Sequence, residues 1–88
     1  MRVLIVDDEA AVRDALAQTL DLAGIEAEVA DGMAAALKAV RAAAPGAVFT
    51  DMRMPNGDGF ELLAALRRGD ADLPVILLTG HGDVPMAV

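Results

Sequence analysis

Val3-Leu4-Ile5-Val6 is an unbroken aliphatic run that stops at Asp7-Asp8-Glu9. A short run with no polar alternate suits a strand covered on both faces, as in a parallel sheet. The period then changes. Val12, Leu16, Thr19, Leu20 and Ala23 fall at helical spacing, predicting a helix over 10–23, and Gly24 stands where a helix C′ glycine belongs. Glu26-Ala27-Glu28-Val29 alternates acid with apolar, the pattern of a strand with one wet face and hence of a sheet edge.

A second helix opens at Asp31-Gly32 with Met33, Ala36, Leu37, Val40 and Ala44 inward, and Pro45-Gly46 ends it. Ala47-Val48-Phe49-Thr50 reads as a third strand ending at Asp51, followed by a loop over 52–57. Asp58 and Glu61, three apart, have the spacing of a capping box with an Asp cap. Leu63, Leu66 and the stem of Arg67 carry this third helix to Gly69. Val75-Ile76-Leu77-Leu78 is a fourth strand ending at Thr79-Gly80. The order βαβαβαβ predicts an α/β domain, a parallel sheet with helices on both faces. The fourth run has no polar side and is built for a central place, yet 84–88 is too short for an independent helix. The Val75–Leu78 edge is therefore expected to be bare, and open to pairing with a second copy of the chain as a homodimer.

Composition narrows the function. Eighty-eight residues allow one domain, 1–88. Apolar residues make up 56%, which rules out disorder. Nineteen of them are alanine, which favours helix while burying little area. The absence of cysteine excludes disulfide, zinc-finger and Cys-ligated iron–sulfur frameworks. No apolar run is long enough to span a membrane and no secretory leader is legible, so a cytoplasmic protein is expected. Fourteen acids against seven bases leave a net charge of −7, the wrong sign for direct binding to nucleic acid.

The acids supply the candidate chemistry. Asp7, Asp8 and Asp51 each close a predicted strand, the end of an open α/β sheet at which ligands bind. Neighbouring strands lie about 4.8 Å apart, so acids on adjacent strand ends share one small pocket. Carboxylates so close repel unless a proton or cation intervenes, and an oxygen-only set suits a hard ion such as Mg²⁺. Thr79 ends the next strand and offers a hydroxyl to the same pocket. Asp7-Asp8-Glu9 alone reads equally well as a solvated helix start, where acids are favourable. Three separate strand ends delivering Asp-Asp, Asp and Thr do not reduce to that.

Val6-Asp7-Asp8-Glu9, Thr50-Asp51-Met52-Arg53-Met54-Pro55 with Gly59 following, and Leu78-Thr79-Gly80-His81-Gly82-Asp83 together resemble the receiver domain of bacterial two-component response regulators. The likeness runs from Arg2 to Val88. Residues 18–24 and 79–88 look more narrowly like the dicarboxylate-transport regulators that activate sigma-54 polymerase, and 79–88 is shared with nitrogen-fixation regulators. The resemblance implies a flavodoxin-like (CheY-like) three-layer fold with strand order 2-1-3-4 in the part present. It implies that Asp51 is the phosphoacceptor, taking a phosphoryl group from a histidine kinase. It implies that Asp8, Asp51 and the backbone carbonyl of Arg53 ligate Mg²⁺, with Asp7 acting mainly through water. It further implies that Thr79 hydrogen-bonds the phosphoryl group and moves with it, and that the first helix faces the kinase. The family ends a fifth strand with a lysine, whereas the only lysine here is Lys38, on the second helix. About 30 further residues, a βα unit and the rest of a fourth helix, complete the family's domain. A receiver incomplete at its C-terminus, with the fifth βα unit missing and its output domain absent from the chain, is the resulting expectation.

Two other functions fit parts of the pattern. An inert fragment folded through its Val75–Leu78 edge follows from the bare strand. A small Mg²⁺-dependent phosphatase with Asp51 as nucleophile needs a second acid close behind, and position 53 is arginine. The expectation is a phosphorylated regulatory module rather than an enzyme. Met52 and Met54 read as apolar contacts, His81 as a loop residue, and Gly80-His81-Gly82 lacks the spacing and lysine of a phosphate loop.

Overall fold

The aliphatic run at the N-terminus forms β1 (Arg2–Val6), and its alternating side chains feed two separate cores. Leu4 and Val6 point to one face of the sheet, Val3 and Ile5 to the other, all at least 98% buried. The computed structural model describes residues 2–51, 59–69, 72–78 and 86–87. These build β1, α1 (Ala10–Leu22), β2 (Glu26–Ala30), α2 (Met33–Ala42), β3 (Ala47–Asp51), α3 (Gly59–Gly69), β4 (Val75–Leu78) and β5 (Met86–Ala87). The sheet order is β2-β1-β3-β4-β5. The first four strands are parallel, in the expected order 2-1-3-4.

The larger core lies under α2 and α3. Ala36, Leu62 and Leu66 pack there with Leu4, Val48, Val75 and Leu77 of the sheet. The smaller core lies under α1, where Leu16, Ala17 and Leu20 cover Val3, Ile5 and Ala47. No residue of α1 is fully buried. Thr19 and Ala23, expected inward, are exposed, and the Thr19 hydroxyl donates to the Ala15 carbonyl at 2.9 Å. Among the described residues a single helix covers that face, so only its central stripe finds sheet beneath it. Val29 is left 45% exposed for the same reason, although β2 takes its expected edge position. Ala44 falls beyond α2 and is exposed. In α3 the fully buried leucine is Leu62, with Leu63 only half-buried.

The first helix ends as its glycine predicts. Gly24 takes φ +78°, a left-handed conformation open to glycine without a Cβ penalty. Its N–H donates to Asp21 O at 3.0 Å, and Ile25 N–H donates to Leu20 O at 2.9 Å. This is the paired bonding of a Schellman motif, with Leu20 and Ile25 both in the smaller core.

The open edge of β4 is corrected by the structure. Met86–Ala87 pairs antiparallel with Ile76 and Leu77, so this stretch is not left for a second copy of the chain. Two residues are too few to carry a hydrophobic pattern of their own; the pairing comes from the neighbouring strand's unfilled backbone groups. Arg67 does more than extend α3 by its stem: its guanidinium donates to the Leu73 carbonyl and ties α3 to the turn before β4.

Candidate functional site

Strand register assembles the acidic cluster. Val6 lies opposite Thr50, which brings Asp7 level with Asp51 on the adjacent strand. Asp7 still belongs to the sheet by its backbone, since its N–H donates to Ala30 O at 3.1 Å. Asp8 follows in the turn into α1. One carboxylate oxygen from each of Asp7, Asp8 and Asp51 lies within 4.8 Å of the other two. The three side chains differ in setting. Asp7 is 4% exposed, Asp51 half-buried and Asp8 exposed.

Burial makes Asp7 the unusual acid. Desolvation raises its pKa above the ordinary 3.8, and the charges of Asp51, Asp8 and Glu9 push the same way. One contact opposes them: the Glu9 N–H donates to Asp7 Oδ1 at 2.9 Å. The site thus holds a carboxylate that gains from any positive charge placed among the three oxygens.

Arg13 adds a cation that sequence reasoning passed over. Its Nη1 donates to the Asp7 carbonyl at 2.8 Å, fixing the strand end against the first turns of α1. Its only sequence signal is its place six residues after Asp7, one turn into a helix that starts at the site. Behind Asp51, the fully buried Thr50 donates its hydroxyl to the Asp51 carbonyl at 3.1 Å, and among the described residues no buried side-chain oxygen is left unsatisfied.

The donor set fits a small hard cation. At Mg²⁺–oxygen distances of about 2.0–2.1 Å, opposed ligand oxygens lie about 4.2 Å apart. Of three such ligands at least two pairs are adjacent, at about 2.9 Å, so oxygens that lie within 4.8 Å of one another close in around the ion or reach it through water. Asp7, Asp8 and Asp51 are therefore brought together as expected. Arg53, Thr79, His81 and the Asp58 cap lie outside the described residues. Among the described residues, no helix is long and apolar enough to cross a membrane.

Comparison with known proteins bears on the same residues. The family model of the response regulator receiver domain matches residues 3–88. The C4-dicarboxylate transport transcriptional regulatory protein DctD of Pseudomonas aeruginosa is 53% identical over 87 residues, covering 99% of this chain and 19% of that protein. The transcriptional regulatory protein FixJ of Bradyrhizobium diazoefficiens is 42% identical over 86 residues, covering 98% of this chain and 42% of that protein. The chain thus spans well under half the length of these curated relatives. Among solved structures, the response regulator protein TrrA of Thermotoga maritima, in complex with Mg²⁺ and BeF, superposes with a TM-score of 0.87. It is 33% identical, with 92% of this chain and 70% of that chain covered.

Proposed function

The chain belongs to the response regulator receiver domain family, and from that premise we propose that it is a phosphoacceptor module in which Asp51 carries the phosphoryl group. The observation that carries this reading is the meeting of Asp7, Asp8 and Asp51 carboxylate oxygens within 4.8 Å at the ends of two adjacent strands.

In the proposed reaction, a carboxylate oxygen of Asp51 attacks the phosphorus of a phosphohistidine on a partner histidine kinase. The new P–O bond replaces the P–N bond, whose electron pair stays on the imidazole nitrogen. Asp8, Asp51 and the Arg53 carbonyl would hold the divalent cation, with Asp7 acting mainly through water. When bound, Mg²⁺ offsets the charge on the phosphoryl oxygens during transfer. Arg13 positions the strand end through the Asp7 carbonyl. Thr79 receives the transferred group by a hydroxyl hydrogen bond. The added charge and acceptor oxygens are the signal, one that draws groups able to donate to them. The module is proposed to act in the cytoplasm, its state read by an output domain that regulates transcription, a reading supported by its relatives DctD and FixJ being transcriptional regulatory proteins.

Incubation with acetyl phosphate tests this without a cognate kinase. Acetate replaces histidine as leaving group. The expected intact mass shows a single phosphoryl adduct with Mg²⁺ present, none with EDTA, and none in Asp51→Asn. An adduct that persists in Asp51→Asn, or none on the native chain, overturns the proposal.

A further inference from the structure

The opposite end of the molecule holds a second concave surface. The last turns of α2 and α3 diverge above the N-terminal ends of the strands and leave a groove of about 570 Å³. Leu37, Val40, Leu66 and Leu73 form its apolar floor, and Arg41 and Arg68 stand among its lining residues. A strand of five residues separates this end from the acidic cluster, a span of about 16 Å. The two sites therefore do not share residues.

Three observations say what would fill the groove. Its volume falls within the range of about 300–1,000 Å³ of small-molecule sites, which pair apolar walls with few charged groups. Its charge opposes that of the whole chain: two guanidinium groups line an apolar cleft in a protein of net charge −7. The neighbouring arginines are occupied, Arg2 by Glu28 and the Ala43 carbonyl and Arg67 by the Leu73 carbonyl. Among the described residues, the side chains of Arg41 and Arg68 make no hydrogen bond or ion pair. A favourable helix dipole accounts for a cation in each last turn. It does not account for the half-buried Leu37 and Val40, which keep apolar surface open between them above the buried Leu66 and Leu73.

We propose that the α2–α3 groove binds a small amphipathic carboxylate, its apolar body on Leu37, Val40, Leu66 and Leu73 and its anionic head between Arg41 and Arg68. Leu37 and Val40 supply the exposed apolar contact, and the arginines select the charged head over a neutral one. A planar guanidinium pairs with a carboxylate through two parallel hydrogen bonds, which lysine does not reproduce.

Decanoate, kept below its micelle concentration, is the probe, with decanol as its neutral counterpart. Backbone amide shifts of the full ¹⁵N-labelled chain are followed during each titration. Expected are saturable shifts confined to residues 37–44 and 65–73, with decanol at least about tenfold weaker. Both arginine side chains reach the surface, so Arg41→Gln/Arg68→Gln keeps the fold and weakens decanoate by about tenfold or more. Equal binding of decanol, unchanged affinity in the double variant, shifts spread over the whole chain, or no saturable shift would each overturn the assignment.

Discussion

Asp7→Asn should raise the stability of the metal-free protein while removing much of the gain from Mg²⁺. The wild-type side chain is 4% exposed and has carboxylate oxygens of Asp8 and Asp51 within 4.8 Å. At an effective dielectric of about 20, two unit charges at that separation repel by about 3.5 kcal/mol. Asp51 is half-buried and partly screened, so the net release on neutralising Asp7 is about 1–2 kcal/mol. Asparagine keeps the Oδ1 acceptor that takes the Glu9 N–H, so the local turn survives. For a domain of this size, 1 kcal/mol moves the melting temperature by about 4–8 °C, giving an expected rise of about 5–15 °C in EDTA. Thermal melts followed by far-ultraviolet circular dichroism, with EDTA and with saturating Mg²⁺, measure both effects. A variant less stable than wild type in EDTA, or one stabilised by Mg²⁺ as strongly as wild type, would refute the like-charge reading of the cluster.

Acid should act on the same group. The folded pKa of Asp7 is raised, so protonation favours the folded state, and this contribution is lost as pH rises through the folded pKa above 3.8. In EDTA, melts from neutral pH downward should show a stabilising component in wild type that is absent in Asp7→Asn, until general acid unfolding sets in. Leu62→Ala, at 0% exposure in the larger core, should cost about 2–5 kcal/mol in urea unfolding, whereas Leu22→Ala, at 82% exposure, should stay within about 0.5 kcal/mol. Gly24→Ala should cost about 1–2 kcal/mol, read by the same unfolding assay. Nothing lies within 4 Å of a Cβ built there, so the cost comes from φ +78° alone.

The strands and the acidic cluster were legible because their signals are local. Aliphatic runs mark β1 and β4 and the Ala47-Val48-Phe49 run marks β3, and an acid closing two of the three marks the site before any register is known. Which acid is buried was not legible. Asp7 differs from Asp8 only because its N–H still reaches Ala30 across the sheet. The choice between Leu62 and Leu63 was not legible either: with Leu66 they lie within one apolar arc, and the roll of α3 on the sheet decides which faces the core. Thr19 and Ala23 share the helical period of Leu16 and Leu20, yet among the described residues α1 has no second helix beside it to bury them. The β5 pairing and the Arg13 contact to Asp7 are tertiary throughout, and no short-range pattern announces them.

The central claim is that Asp51, and neither of its two acidic neighbours, takes the phosphoryl group. Borohydride reduces an acyl phosphate to the alcohol, which converts a phosphorylated aspartate into homoserine. After acetyl phosphate and Mg²⁺ treatment, reduction and peptide mass mapping, homoserine is predicted at position 51 alone. Homoserine at position 7 or 8, or its absence from position 51, would contradict the account.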